Sequence, residues 1–302
     1  MLDVDIVIVS YNSRDHLRAC VEPLSHVEGV NVIVVDNASN DGSLDSVADM
    51  PLATVPLSQN GGFAHGCNTG WRRGRAPYVL FLNPDARIDR RSLRHLVATL
   101  EAEERVGAVG PKIVDPNGVV HYSQRRFPTL SSLYAQAFYA HRVLPRARWS
   151  DELVRDEALY RAPSSPDWVS GACILVRRVA LDLLGGFDEG FFMYWEDTDL
   201  CRRLRDHGFD VRFEPAAVVV HVGGASRPRS TLLPVLASSR IRYCRKHRGK
   251  TVVFFERLGL ALGALTHAVG TREGARARVG HFRSLLIAMR PLKPGLGRAS
   301  GG

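Results

Sequence analysis

Three short runs of almost unbroken β-branched residues, each ending in a polar cluster, constrain the fold of this chain most. Asp5–Ser10 reads Asp-Ile-Val-Ile-Val-Ser and continues into Tyr11-Asn12-Ser13. Val30–Val35 runs into Asp36-Asn37-Ala38-Ser39-Asn40-Asp41-Gly42-Ser43, and Tyr78–Leu82 into Asn83-Pro84-Asp85-Ala86. A strand apolar on both faces needs cover on both, which is the condition of a parallel sheet layered between helices. Helices are expected from Asp15 to about Leu24, from the turn Gln59-Asn60-Gly61-Gly62-Phe63 to about Arg73, and over Ser92–Glu103. Further strands are expected near Ala53–Leu57 and over Val106–Val114. The order β-α-β-α-β defines an α/β fold with a mostly parallel central sheet flanked by helices. In such sheets the ligand crevice lies at the carboxyl ends of the strands. Ser10–Ser13, Asp36–Ser43 and Asn83–Asp85 all fall there and should converge with hydroxyl, amide and carboxylate groups.

The rhythm breaks from Gln124 to Ser165, where prolines and aromatics punctuate an irregular insertion with one or two helices. Its position suits a lid or acceptor-binding element. Strand character returns over Trp168–Arg177. Asp199–His207 reads as a helix with Gly208 just past its end, and Phe209–Phe213 and Ala216–His221 as two further strands. Beyond Thr231 the chain is helical and basic. The five cysteines form no C-x-x-C pair, which argues against a disulfide scaffold or zinc module and fits a reducing compartment. The first residues carry no basic n-region, so no signal peptide is expected.

Phe191-Phe192-Met193-Tyr194-Trp195-Glu196-Asp197-Thr198-Asp199 places three acids directly after a block of aromatics. An apolar wall beside carboxylates excludes water and raises a carboxyl pKa toward that of a working general base. The same acids would also suit the first turn of a helix, where they complement the dipole. The segment alone supports both readings.

Taken in order, several pieces resemble a family 2 glycosyltransferase of GT-A fold, in the branch of bacterial rhamnosyltransferases. They are Ile6–Ser13, Val34–Ser43, Asn60–Ala64, Phe81–Asp85, Gly171–Arg178 and Tyr194–Leu200, covering about residues 4–226. The resemblance implies that Ser10, Tyr11 and Asn12 line a nucleotide pocket and that Asp36 hydrogen-bonds the base or ribose. Asn60, Gly61 and Gly62 would bring backbone close to the nucleotide. Asp85 would ligate a divalent cation, Mn²⁺ or Mg²⁺, on the donor diphosphate, with His221 completing the metal site as in some relatives. Asn83 occupies the first position of the family's Asp-x-Asp pattern and leaves one strong carboxylate. Asp197 would be the catalytic base, with Glu196 beside it; Gly171, Trp195 and Glu196 would contact the acceptor. Asp199 suits an ion pair with Arg202 or Arg203. The implied reaction is an inverting transfer from a nucleotide-diphospho-sugar, dTDP-rhamnose foremost, to a saccharide or polyprenyl-linked acceptor in the cell envelope.

Two other classes remain open at this point. A nucleotidyltransferase should carry a glycine- and Arg/Lys-rich loop after the first strand, and Ser10–Ser13 lacks one. A non-catalytic sugar-nucleotide or nucleic-acid binding module would give the acid pair no purpose. Absence of G-x-G-x-x-G after the first strand speaks against a dinucleotide dehydrogenase.

The net charge of +9 is uneven: residues 227–302 carry +14 and residues 1–226 carry −5. The division suggests a catalytic domain over 1–226, with a nucleotide half to about 115 and an acceptor half beyond it. A basic helical extension over 227–302 would follow, ending in a disordered Gly295–Gly302. Six basic residues between Arg240 and Lys250 precede the apolar stretch from Val252. Glu256, Arg257 and His267 interrupt that stretch, so a transmembrane helix is not expected. A basic segment beside an apolar helix suits an anionic membrane surface; packing on the catalytic domain is the competing use. The expected location is the cytoplasm, at the inner face of the cell membrane if the extension binds lipid. No nucleic-acid partner is expected.

Overall fold

The computed structural model describes residues 2–223, 229–270 and 275–290. Its centre is a nine-stranded sheet in the order β3-β2-β1-β4-β10-β6-β11-β5, with β7 paired to β6. The strands are β1 (Val4–Ser10), β2 (Val30–Asp36), β3 (Ala53–Pro56), β4 (Tyr78–Leu82), β5 (Ala86–Ile88), β6 (Val106–Val114) and β7 (Val120–His121), with β10 (Cys173–Arg177) and β11 (Asp210–His221) later in the chain. Six strands run one way, and β10, β5 and β7 run against them. Two further strands, β8 (Gln124–Arg125) and β9 (Trp168–Val169), pair apart from the sheet.

Side-chain alternation along β1 divides the core. Ile6 and Ile8 pack with Leu17 and Val21 of α1 (Arg14–Val21) and with Leu93 and Leu96 of α3 (Arg90–Ala102). Val7 and Val9 face the opposite layer, against α2 (Phe63–Trp71), α6 (Arg178–Leu184) and α7 (Glu196–Asp206). The sheet is covered on both faces, as the apolar strands require.

Several expectations need correction. The two strands proposed over Phe209–Phe213 and Ala216–His221 are one, β11, which absorbs Pro215 through a register shift between Glu214 and Val218. The strand proposed over Trp168–Arg177 is two, because Ser170–Ala172 leaves the sheet. The helix expected from Asp199 begins at Glu196, so all three acids lie in its first turn. The dipole reading and the base reading therefore hold together.

The insertion contributes α4 (Leu130–Ala137) and α5 (Ala140–Val143), and the extension contributes α8 (Arg229–His247), α9 (Lys250–Gly270) and α10 (Ala275–Met289). The α9 helix packs on α4, and α10 packs on α8 and α9. Contrary to the sequence reading, residues Lys250–Val269 form one helix long and apolar enough to cross a membrane by length and composition, with 22% of that stretch buried. Its interrupting charges are used internally. Glu256 pairs with Arg240, which also meets Glu152 at 2.8 Å, and Arg257 donates to the Ala288 carbonyl. The basic run is likewise spent on the domain: Arg242 and Lys246 bind Asp188, and Arg248 donates to the Pro128 carbonyl. Gly295–Gly302, expected to be disordered, lies outside the described residues.

Candidate active site

The carboxyl ends of β1, β2 and β4 open into one cavity of about 440 Å³, lined by Tyr11, Asn37, Asn83 and Asp85 from those ends and by Asn60 and Gly62 from the loop after β3. Glu196, Asp197 and His221 complete its wall. The convergence expected from the three polar clusters is thus present. Ser10 and Asp36 end β1 and β2 opposite each other and are buried. Asp36 Oδ2 accepts from the Ser39 N–H at 2.9 Å, while Asp36 Oδ1 and Ser10 Oγ find no partner among the described residues. Neither Ser10 nor Asp36 is among the residues lining the cavity; Tyr11 and Asn37, the next residues along, are the ones these strand ends present to it. Asn12 is committed locally: its backbone is left-handed at φ 51°, and its Oδ1 accepts from Asn40 N at 3.0 Å.

The Asn60-Gly61-Gly62 loop is held by Asn37, whose role the sequence reading missed. Asn37 accepts from Gly61 N and donates to the Gly62 carbonyl, both at 3.0 Å. Gly62 has φ 90°, and a Cβ there would lie 2.3 Å from the Phe192 oxygen. The glycine is required by this close approach to the acidic segment, where Phe63 N also donates to Phe192 O at 2.8 Å.

At the end of β4, Asp85 Oδ1 lies 3.1 Å from His221 Nε2, and Asn83 Nδ2 is 3.4 Å from the same nitrogen. Burial raises the Asp85 pKa, but hydrogen bonds from His221 and Gly223 outweigh it and hold the carboxyl below its ordinary value. Two ligands about 2.1 Å from a cation in adjacent octahedral positions stand about 3 Å apart, close to the separation seen. Among the described residues no third His, Cys, Asp or Glu joins this pair. The donor set therefore fits a hard cation that takes its other ligands from water and substrate phosphate.

Asp197 sits in the first turn of α7, where Gly171 N donates to Oδ2 at 2.9 Å and Thr198 N to Oδ1 at 2.7 Å. Gly171, expected at the acceptor, also lines this cavity and orients Asp197 from the segment between β9 and β10. Burial raises the Asp197 pKa, partly opposed by those two N–H groups and by Arg125. Burial raises Glu196 further, with the Asp197 charge second, and its Oε2 has no partner among the described residues. In a pair of adjacent carboxyls, the one with fewer N–H donors keeps the proton, so Asp197, held by two, is the one available as carboxylate.

The aromatics before the pair set its position. Tyr194 and Trp195 are both left-handed, at φ 65° and 73°, a costly conformation that surrounding contacts must impose. Ser239 of α8 donates to the Met193 carbonyl at 2.9 Å, and the Trp195 ring lies against Tyr243 with the Arg240 guanidinium 5.0 Å from its centre. Asp199, fully buried, accepts from Arg203 at 2.7 Å as expected. It also accepts from His247 at 2.7 Å and pairs with Lys246 at 2.8 Å, contacts that tie α7 to α8.

Sheet order and crevice position define a GT-A-like fold. A mannosyltransferase from Pyrobaculum calidifontis in complex with GDP-Man and Mn²⁺ shares it, with a TM-score of 0.59 at 19% identity over 95% of this chain and 85% of that one. Residues 5–182 match the Glycosyl transferase family 2 profile. The chain belongs to this family, which displaces the nucleotidyltransferase alternative. It is 32% identical over 259 residues, 80% of this chain and 84% of the relative, to the N-acetylglucosaminyl-diphospho-decaprenol L-rhamnosyltransferase of Mycobacterium tuberculosis. It is also 29% identical over 72% of its length to the rhamnosyltransferase WbbL of Escherichia coli, covering 83% of that protein.

Proposed function

We propose that the protein is an inverting, metal-dependent transferase that moves rhamnose from dTDP-rhamnose to a lipid-linked saccharide in cell-envelope glycan synthesis. The observation that carries this reading is the placement of Asp197 and the Asp85–His221 pair on one cavity. The relatives' names supply the sugar and the lipid-linked acceptor.

Tyr11 and Asn37, at the strand ends, would lie against the nucleotide. Asp85 and His221 would hold Mn²⁺ or Mg²⁺ against the diphosphate, which when bound neutralises the leaving group's charge. Asp197 takes the proton from the acceptor hydroxyl as that oxygen attacks the anomeric carbon; the bond to the diphosphate oxygen breaks in the same displacement. One base and one displacement give inversion. A carboxyl pKa raised by burial makes Asp197 a stronger base than an exposed aspartate.

The reading extends to location: the protein sits on the inner face of the cell membrane. Phe254, Leu258, Leu265 and Val269 form one exposed stripe on α9, and Val279, Phe282, Leu286 and Met289 another on α10. Such stripes suit an interface. The ion pairs made by the basic run shift the weight of this reading from charge to apolar contact. Flotation with liposomes tests it; a Phe254→Asp, Phe282→Asp variant that floats like the wild type would overturn it.

The central experiment offers dTDP-rhamnose and a lipid-linked acceptor with Mn²⁺ or Mg²⁺. Asp197→Asn should lower kcat by roughly 10²–10⁴-fold with donor affinity unchanged. An active Asp197→Asn variant would remove Asp197 as the base.

A further inference from the structure

A second cavity, about 650 Å³, lies between the insertion and the C-terminal helices, and it meets the first at Ser170, Tyr194 and Asp197. The base is therefore in the partition between two chambers. The second chamber is divided in character. Near Asp197 it carries Arg125, Trp195 and Arg240; farther along, α4, α8 and α9 supply Leu133, Leu236 and Leu260.

Arg125 is the informative residue. Its Nε donates to the Tyr122 carbonyl at 2.9 Å and its guanidinium stacks 5.4 Å from the Trp168 ring. These contacts fix its plane; among the described residues its Nη nitrogens make no hydrogen bond or ion pair, although Asp197 and Glu152 lie near enough to favour its charge. The other cations of this wall are matched: Arg155 meets Asp151 at 2.8 Å, and Arg240 lies between Glu152 and Glu256. Even so, Arg240 Nη2 is buried without a partner among the described residues. A fixed guanidinium fork with free N–H groups is a phosphate-binding element. The remainder is lined by Leu133, Leu236 and Leu260 together with Gln136, His141 and His267; its leucines give a hydrocarbon chain an apolar surface to lie on.

We propose that this second cavity is the acceptor chamber, in which Arg125 binds the diphosphate of a polyprenyl-diphosphate-linked saccharide and the leucine-lined part holds the first isoprene units. Resting on the proposed function, this assigns the acceptor's diphosphate and lipid to named residues. The sugar hydroxyl then reaches Asp197 from the face opposite the donor.

The test is a binding measurement on the full chain, without divalent metal and with the donor pocket saturated by dTDP. Geranylgeranyl diphosphate, geranylgeraniol and inorganic pyrophosphate are titrated separately by calorimetry. The lipid diphosphate should bind in the presence of dTDP. Arg125→Gln should weaken it at least tenfold, Arg125→Lys should recover part of the loss, and neither should affect geranylgeraniol. Leu236→Asn should weaken both lipids and leave pyrophosphate unchanged. Displacement by dTDP, or an Arg125→Gln affinity within twofold of wild type at an unchanged melting temperature, would overturn the assignment. Pyrophosphate binding as tightly as the lipid diphosphate would overturn the isoprene part. Failure of dTDP to bind the wild-type chain in a separate titration with Mn²⁺ would instead count against the donor reading, and the three metal-free titrations would still report on the second cavity.

Discussion

Replacing Glu196 by glutamine should stabilise the protein at high pH. Glu196 is buried with one carboxylate oxygen unpartnered, and burial followed by the adjacent Asp197 charge holds its pKa well above the ordinary value. In the unfolded chain it titrates near pH ~4.3. Between that value and the folded pKa the folded state keeps a proton that the unfolded state has released. Stability therefore falls as pH rises through this window, by about 1.4 kcal/mol per pH unit. Glutamine keeps the shape and does not titrate. Glu196→Gln should therefore gain on the wild type by about 1.4 kcal/mol for each pH unit climbed within that window. At about 2–4 °C per kcal/mol for a domain of this size class, the melting temperature difference should widen by several degrees. Urea unfolding of both proteins at each half pH unit is the assay. A difference that is flat with pH, or that narrows as pH rises, refutes the assignment of the proton to Glu196. The acid limb of kcat/KM should stay in place, because a protonated Glu196 carries no charge to oppose ionisation of Asp197.

Asp199→Asn removes the charge that Arg203, Lys246 and His247 share in a fully buried position; urea unfolding should show a loss of roughly 3–5 kcal/mol. Asp206→Asn, which breaks only the exposed pair with Arg202, should cost under about 0.5 kcal/mol. Gly62→Ala forces a Cβ against the Phe192 oxygen at φ 90° and should cost at least about 2 kcal/mol, with weaker dTDP binding by calorimetry. His221→Ala should raise the Mn²⁺ concentration needed for half-maximal transfer by roughly tenfold or more, and an unchanged metal titration would remove His221 from the metal site.

The donor side was legible because its information is local. Apolar runs announce β1, β2 and β4, and the polar residues just past them must lie at strand ends. Asp199 was legible only in part: Arg203 is one helical turn away, whereas Lys246 and His247 arrive from α8 through tertiary packing. Asn37 was hidden because an asparagine inside a turn-rich run reads as turn chemistry, and its grip on Gly61 and Gly62 is a contact between separate loops. Asp89, whose side chain caps α3 by accepting from Ser92 N at 2.7 Å, stood just outside the helix read from the pattern. Pro215 read as a strand end because a register shift that absorbs a proline leaves no local mark. The wall of the second cavity was least legible, since it joins α4 to helices more than a hundred residues away.

The two chambers draw on different lengths of chain. The family profile ends at residue 182, before the acid pair and before every extension helix that walls the second cavity. The two cavities meet at the partition that carries Asp197, and α8 lines both. A lineage can therefore rewrite α9 and α10, which line only the second cavity, while keeping the sheet and the Asp85–His221 pair. One inherited engine can thus serve many glycan assembly lines, each set by the helices bolted to its far side.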